Sequence, residues 1–279
     1  MDRIRVVVVA LVVLGTSLFA RAQNLTGVEI SGNSLSAQIS FPGGVAADLE
    51  IAFDEVLGLS LQNLGLSVEL INPTDPALLA RLPDPKEVSP AGAFPLLLRI
   101  EPPALGPLSF RGVASIELHT HQLHFTANCP LRLFKAPAGG SFQDITESMG
   151  LGSYRVRGST GGFSEFLILT DLRAPDQVIV GKFEGLAALL DASAGVIAEP
   201  VLTQLQDRYD AALSAYAAGL LNEAADEIEA FGADVRQNSG SAIPDAWRSA
   251  RDLVNLAGEM RSAAATLGFS LLFAASSGS

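Results

Sequence analysis

Cysteine is nearly absent from this chain: Cys129 is the only one in 279 residues. A single thiol cannot form an internal disulfide, so the fold must rest on its apolar core, which a 48% hydrophobic composition can supply. Cys129, just before Pro130 and an apolar run, is read as a small buried hydrophobe, with an intermolecular disulfide as the other reading. Aromatic platforms are scarce as well, with one Trp and three Tyr. Trp247, Tyr209 and Tyr216 fall on helical stripes, which leaves Tyr154 alone in the first half and argues against a carbohydrate-binding surface. Positive charge is short: 18 Lys+Arg face 30 Asp+Glu, for a formal net charge of −12. Such a chain repels phosphate backbones, so no nucleic-acid partner is expected. Catalytic signatures are missing too. Gly162-Phe163-Ser164-Glu165-Phe166 lacks the closing glycine of a nucleophile elbow, and no phosphate loop, His-Glu-x-x-His or EF-hand-type loop occurs. Leu267 to Phe273 is apolar but far too short to cross a bilayer, which takes about 20 such residues.

What is present begins at the N-terminus. Asp2, Arg3 and Arg5 precede an uncharged apolar run from Val6 to Ala20, and Ala20-Arg21-Ala22 then supplies a small-x-small exit. A charged start, an apolar middle and a small-residue exit make residues 1–22 a secretory signal peptide, with Gln23 as the mature start. The expected address is the periplasm or the extracellular medium. No cysteine stands at the cleavage site to take a lipid, and the mature chain is expected to carry no membrane span.

The hydrophobic period changes near residue 185. From Gln23 to Phe183, short apolar runs alternate with Gly, Pro, Asn, Asp and Ser, which is the pattern of an all-β domain. The expected strands are Val28–Ile30, Ser34–Phe41, Asp48–Val56, Leu66–Ile71, Phe94–Ile100, Leu108–Phe125, Pro130–Phe134, Tyr154–Arg157, Ser164–Thr170 and Gln177–Lys182. Pro102-Pro103 and Gly106-Pro107 separate two of them, and Asn72 to Pro95 reads as a long proline-rich loop with one helical turn at Ala77–Arg81. After Gly185 the period becomes three to four. A short helix is expected over Leu186–Ile197. One stripe runs Leu202, Leu205, Tyr209, Ala212, Leu213 and Tyr216; a second runs Leu221, Ala224, Ala225, Ile228, Phe231 and Val235. Pro244 is expected to open a third helix carrying Trp247, Leu253, Val254, Ala257, Met260 and Leu267. The expected architecture is therefore α+β in two domains. An Ig-like antiparallel β-sandwich over 23–185 is followed by an antiparallel helical bundle over 186–270 and a disordered tail at 271–279.

Two resemblances accompany this pattern. Leu131-Arg132-Leu133-Phe134, Phe142-Gln143-Asp144-Ile145-Thr146, Gly158-Ser159-Thr160 and Phe163-Ser164-Glu165-Phe166-Leu167 resemble the ending of bacterial surface β-sandwiches. Glu165 stands where those domains usually have proline. Gly219-Leu220-Leu221-Asn222-Glu223-Ala224, then Ala230-Phe231 with Val235, then Ile243-Pro244, resemble a FIMAH-type helical module over residues 186–268. The whole chain is similar to short secreted proteobacterial proteins of uncharacterised families. These resemblances imply location and architecture more than mechanism.

Every histidine lies within Glu117-Leu118-His119-Thr120-His121-Gln122-Leu123-His124. On a strand, Glu117, His119 and His121 share a face, while His124 points away. A His-x-His pair offers two imidazoles to one zinc or copper ion, with Glu117 as the candidate third ligand. The plainer account is a solvated strand face. Asp54-Glu55 and Asp226-Glu227 are read as solvated acidic doublets, and the acidic face of the first two bundle helices likewise. The sequence favours an exported, non-enzymatic binding or structural protein with no cofactor and an unknown protein or cell-envelope partner. A metal-binding protein or metalloenzyme built on His119 and His121 is the alternative.

Overall fold

The computed structural model describes residues 24–126, 128–150 and 152–277. The signal-peptide segment lies outside the described residues. The first strands follow the sequence alternation closely. In β2 (Ser34–Ser40), Leu35, Ala37 and Ile39 point inward and the serines and Gln38 outward. β2 pairs with β1 (Leu25–Ser31) across Gly32-Asn33, where Gly32 takes the positive φ that a two-residue hairpin needs at its first central position. β3 (Ala46–Leu57) continues the meander. The remaining strands are β4 (Leu66–Leu70), β5 (Val88–Pro90), β6 (Leu96–Ile100), β7 (Ser109–His124), β8 (Leu131–Ala136), β9 (Gln143–Asp144), β10 (Thr146–Gly150), β11 (Ser153–Thr160), β12 (Glu165–Asp171) and β13 (Ala246–Arg248).

They form two antiparallel sheets. The first runs β1-β2-β3-β7-β11-β10, with β13 also paired to β7; the second runs β4-β6-β12-β8-β9, with β5 paired to β12. One apolar cluster joins them, with Ile51, Ile116 and Val156 from the first sheet meeting Leu98, Leu133 and Phe166 from the second. The central strand β12 is a continuous apolar run, Phe166-Leu167-Ile168-Leu169, because both of its faces are covered. Phe166 and Ile168 enter the shared core, while Leu167 and Leu169 pack with Leu78, Leu82 and Phe142 on the far side.

The helices are α1 (Leu61–Leu64), α2 (Pro76–Leu79), α3 (Pro175–Ala192), α4 (Val201–Ala217), α5 (Leu221–Asn238) and α6 (Leu256–Ser277). The last four share a cluster that includes Phe183, Leu205, Phe231 and Leu267. They are nevertheless not the separate bundle that the periodicity implies. α6 lies against the first sheet closely enough that a Cβ on Gly258 would meet the Gly112 carbonyl at 2.5 Å. Asn255 Nδ2 donates to the carbonyls of Gly112 (2.5 Å) and Gly161 (3.1 Å), and Arg261 Nη1 lies 2.5 Å from Asp54 Oδ2. Asp54, read as solvated, thus holds a helix. On α3, Lys182 Nζ reaches Asp144 Oδ2 on β9 at 2.7 Å and also donates to Thr266 Oγ1 and Ser270 Oγ of α6. Burial pushes the Asp144 carboxyl up, but the Lys182 ammonium and the Thr146 N–H together hold it below its ordinary range.

The two-domain, Ig-like expectation is therefore corrected in several places. Thirteen strands among the described residues, in this order, are not the seven- to nine-strand immunoglobulin arrangement. The expected strand Gln177–Lys182 is the start of α3, and the expected boundary at 185–186 falls inside that helix. Val178-Ile179-Val180 has β character, but burial of Ile179, Phe183, Leu186 and Leu190 follows a helical stripe. Pro244 opens no helix: β13 inserts Trp247 into the core shared by the sheets, and α6 begins only at Leu256. Residues 271–277, expected as a disordered tail, are the last turns of α6, with Leu271 buried.

Candidate functional site

β7 is the spine of the first sheet. Ile116, Leu118 and Thr120 face the core, so the alternation sends Glu117, His119 and His121 to the outer face. Antiparallel register with β3 places Asp48 directly opposite His119 and Glu50 opposite Glu117. On the other flank, β11 places Arg155 opposite His119 and Arg157 opposite Glu117. α6 covers this face at the Asp54 and Gly112 end and leaves the histidine end open.

At the open end three groups converge. Asp48 Oδ2 lies 3.1 Å from His121 Nε2 and 3.4 Å from His119 Nδ1. Asp48, His119 and His121 each offer one ligand atom, and these atoms lie within 4.8 Å of one another. The imidazole centroids are 5.7 Å apart with planes at 71°, so the rings meet edge to face rather than stacking. His119 Nε2 is 2.5 Å from Ser153 Oγ, which orients that ring. When Nε2–H donates to Ser153, the Nδ1 lone pair lies between the Asp48 carboxylate and the Arg155 guanidinium, whose Nη2 stands 3.5 Å away as its donor.

The spacing suits a small ion. Tetrahedral zinc with bonds of about 2.0–2.1 Å holds neighbouring ligand atoms about 3.3 Å apart. The two separations, 3.1 and 3.4 Å, bracket that figure. His119 is 28% exposed at its side chain, His121 48% and Asp48 46%, so the group is open to solvent.

Of the residues that the sequence nominated, His119 and His121 come together and Glu117 does not join them. Its carboxylate instead faces Arg155, with Nε 3.4 Å from Oε1. The group that takes its place, Asp48, lies far away in the chain and enters only through the β3–β7 register. One sequence signal pointed to it: in Ala47-Asp48-Leu49-Glu50-Ile51 the acids occupy the wet face of an alternating strand. His124 is exposed, stands opposite Ser153 in register, and lies outside the group of three. Cys129 is buried and free, and takes no part in the group.

A search of curated proteins gives no match for the chain. A family model, described as a family of unknown function (DUF6689), matches residues 10–275. The match spans the strands of both sheets, the helices that lock them together, and the Asp48–His119–His121 group. On that coverage the chain belongs to DUF6689, a family of unknown function.

Proposed function

We propose that this protein is an exported metal-binding protein that captures a divalent transition-metal ion, zinc or copper, through Asp48, His119 and His121. The observation that carries the reading is the convergence of two imidazole nitrogens on one carboxylate oxygen, at 3.1 and 3.4 Å. Neutral imidazole and carboxylate are the donor set for these ions, and Ser153 supplies the outer hydrogen bond that ligating histidines commonly make. Three protein ligands leave a position for water or for a donor from a partner. On an open sheet face, such a site favours capture and release over the closed four-ligand cage of a structural zinc. The pattern of residues 1–22 supports export, and the resemblances to a bacterial surface sandwich and a FIMAH-type module support a bacterial cell-envelope setting.

The test is metal content and calorimetry on tag-free protein recovered from the export compartment. One zinc or copper ion per chain is expected. It should be lost in Asp48→Ala and in His119→Ala, weakened about 10–100-fold by Ser153→Ala, and retained in Glu117→Gln. Protein that takes up neither ion at micromolar free metal overturns the reading, as does stoichiometric binding that survives Asp48→Ala.

A further inference from the structure

Arg155 reaches into the group of three from the flank opposite Asp48. In register, His119 on β7 has Asp48 of β3 on one side and Arg155 of β11 on the other. The guanidinium spans two neighbours: Nη2 lies 3.5 Å from His119 Nδ1, and Nε lies 3.4 Å from Glu117 Oε1. Given Asp48, His119 and His121 as the metal ligands, the reading on which this rests, we propose that Arg155 is an internal competitor for the metal position. Capture of an ion displaces its guanidinium from His119 and hands it over to Glu117.

His119 makes the competition direct. With Nε2–H given to Ser153, Nδ1 is the one ring atom left to bind an ion, and it carries a single lone pair. That lone pair accepts a hydrogen from Arg155 or coordinates a metal, and it cannot do both. Charge acts in the same direction, since a guanidinium a few ångströms from a divalent ion repels it. Asp48 Oδ2, 3.4 Å from the same Nδ1, pulls the other way and favours the ion.

Glu117 is where the displaced group goes. It precedes His119 by two residues on β7 and shares its face, about 7 Å along the strand. Its carboxylate already touches the guanidinium through one nitrogen. Moving the whole fork onto Glu117 gives the two-pronged contact that arginine makes best with a carboxylate. Arg155 is 51% exposed and Glu117 28%, so the exchange takes place at the surface and unpacks no core. Glu117, which is no ligand, thereby acts on the site through the arginine it receives. The neighbouring charges, Glu50 and Arg157, stand opposite Glu117 on the two flanking strands, one step further from the histidines.

The far side of Arg155 leaves room for this movement. There it faces Gly150 of β10, and a Cβ on that glycine would lie 3.3 Å from the Arg155 Cβ and 3.7 Å from its Cδ. The arginine stem thus lies along bare backbone. Gly150 does not take a positive φ, so the backbone does not demand glycine there. What its missing side chain provides is space for the stem to lean away from His119. An occupant that returns to His119 when the ion departs lowers the affinity of the site and favours release.

Zinc is the test ion, titrated into tag-free mature protein by calorimetry and against a chelating indicator. Arg155→Met keeps the stem and removes the charge and the donors. It should tighten zinc binding by about tenfold, the size expected of a unit charge a few ångströms from a divalent ion at an exposed site. Arg157→Met removes the same charge about 7 Å further along the strand and should change affinity by less than about twofold, because screening acts over that distance. Glu117→Gln should keep one zinc per chain but bind it several-fold more weakly. Most of that loss should disappear in Glu117→Gln/Arg155→Met, because Glu117 acts through the arginine. Affinity unchanged or weakened in Arg155→Met, or equal tightening in Arg157→Met, overturns the competitor and leaves Asp48-dependent capture standing. A Glu117→Gln loss of the same size without Arg155 overturns the handover. Zinc bound by neither the wild type nor Arg155→Met overturns the competitor and the capture reading together. Zinc bound by Arg155→Met alone upholds the competitor and overturns capture by the native chain.

Discussion

Replacing Lys182 with methionine should destabilise the whole molecule, not only its helices. Lys182 Nζ has four partners: Asp144 Oδ2 at 2.7 Å, Thr266 Oγ1 at 2.6 Å, Thr266 O at 3.1 Å and Ser270 Oγ at 2.8 Å. The side chains of Lys182 and Asp144 are 9% and 2% exposed. Methionine conserves much of the volume and removes the charge, which leaves the Asp144 carboxylate buried with the Thr146 N–H as its remaining strong donor. Removing one partner of a buried pair costs about 3–5 kcal/mol. With a urea m value of about 2–3 kcal/mol/M, the midpoint should fall by more than about 1 M. Two probes follow the transition: emission of Trp247 in the core of the sheets, and far-ultraviolet circular dichroism dominated by the helices. They should coincide before and after substitution, as expected of one cooperative unit. Lys182→Met/Asp144→Asn should recover most of the loss, because it removes the orphaned charge. Acid adds a further check. Asp144 in the wild type lies below its ordinary range, so its contribution is present above the unfolded carboxyl value and lost as pH falls through the folded one. In Lys182→Met burial acts without its counterweight and raises that carboxyl, so the gap between the proteins should narrow as pH falls toward 4. A loss below about 1 kcal/mol would refute the reasoning, given the range expected for a buried pair. A shift seen by dichroism but not by Trp247 would refute it too.

Two other substitutions probe the frame around the sites. Burial raises the Glu147 carboxyl, against the opposing hydrogen bond from Ser159, so its ionisation favours the unfolded chain as pH rises through the folded value. Glu147→Gln should therefore raise the melting temperature at pH 7 and have little effect at pH 4; an equal or negative change at both would contradict that sign. Gly65 has φ +58°, and a Cβ there would meet the Glu101 carbonyl oxygen at 2.0 Å. Gly65→Ala should cost more than about 2 kcal/mol in chemical denaturation, combining left-handed strain with a backbone clash; a neutral result would show that this turn relaxes freely.

The sequence made much of the sheet framework legible wherever a strand has one wet face. Leu35, Ala37 and Ile39 in β2, and Ile116 and Leu118 in β7, are buried as their alternation requires. Stripes such as Ala224, Ile228, Phe231 and Val235 likewise marked α5. What escaped depends on partners distant in the chain. Periodicity shows that a residue is buried but not against what, so the spacing alone places Trp247 on a helix, whereas its surroundings are Phe110 and Phe163. β9 and β13, of two and three residues, are too short to carry a period and exist because β8 and β7 offer them unpaired backbone. The group of three divides the same way: His119 and His121 share a strand and are visible together, whereas Asp48 requires knowing which strand lies beside them.

β13 also sets an order of events. Ala246, Trp247 and Arg248 pair with Arg111, Phe110 and Ser109, filling the place beside β7 that β11 leaves empty beyond Thr160. A chain made from its N-terminus completes β7 long before residue 248 exists. During that interval the Ser109–Arg111 end of the strand has one flank unpaired, and Phe110 lacks the indole that stacks on it. Non-local closure of this kind slows folding and leaves an adhesive edge on the partly made protein. A truncation that stops before Ala246 should therefore aggregate rather than persist in a folded form, because the segment made after Asp245 is the piece that closes the first-made sheet.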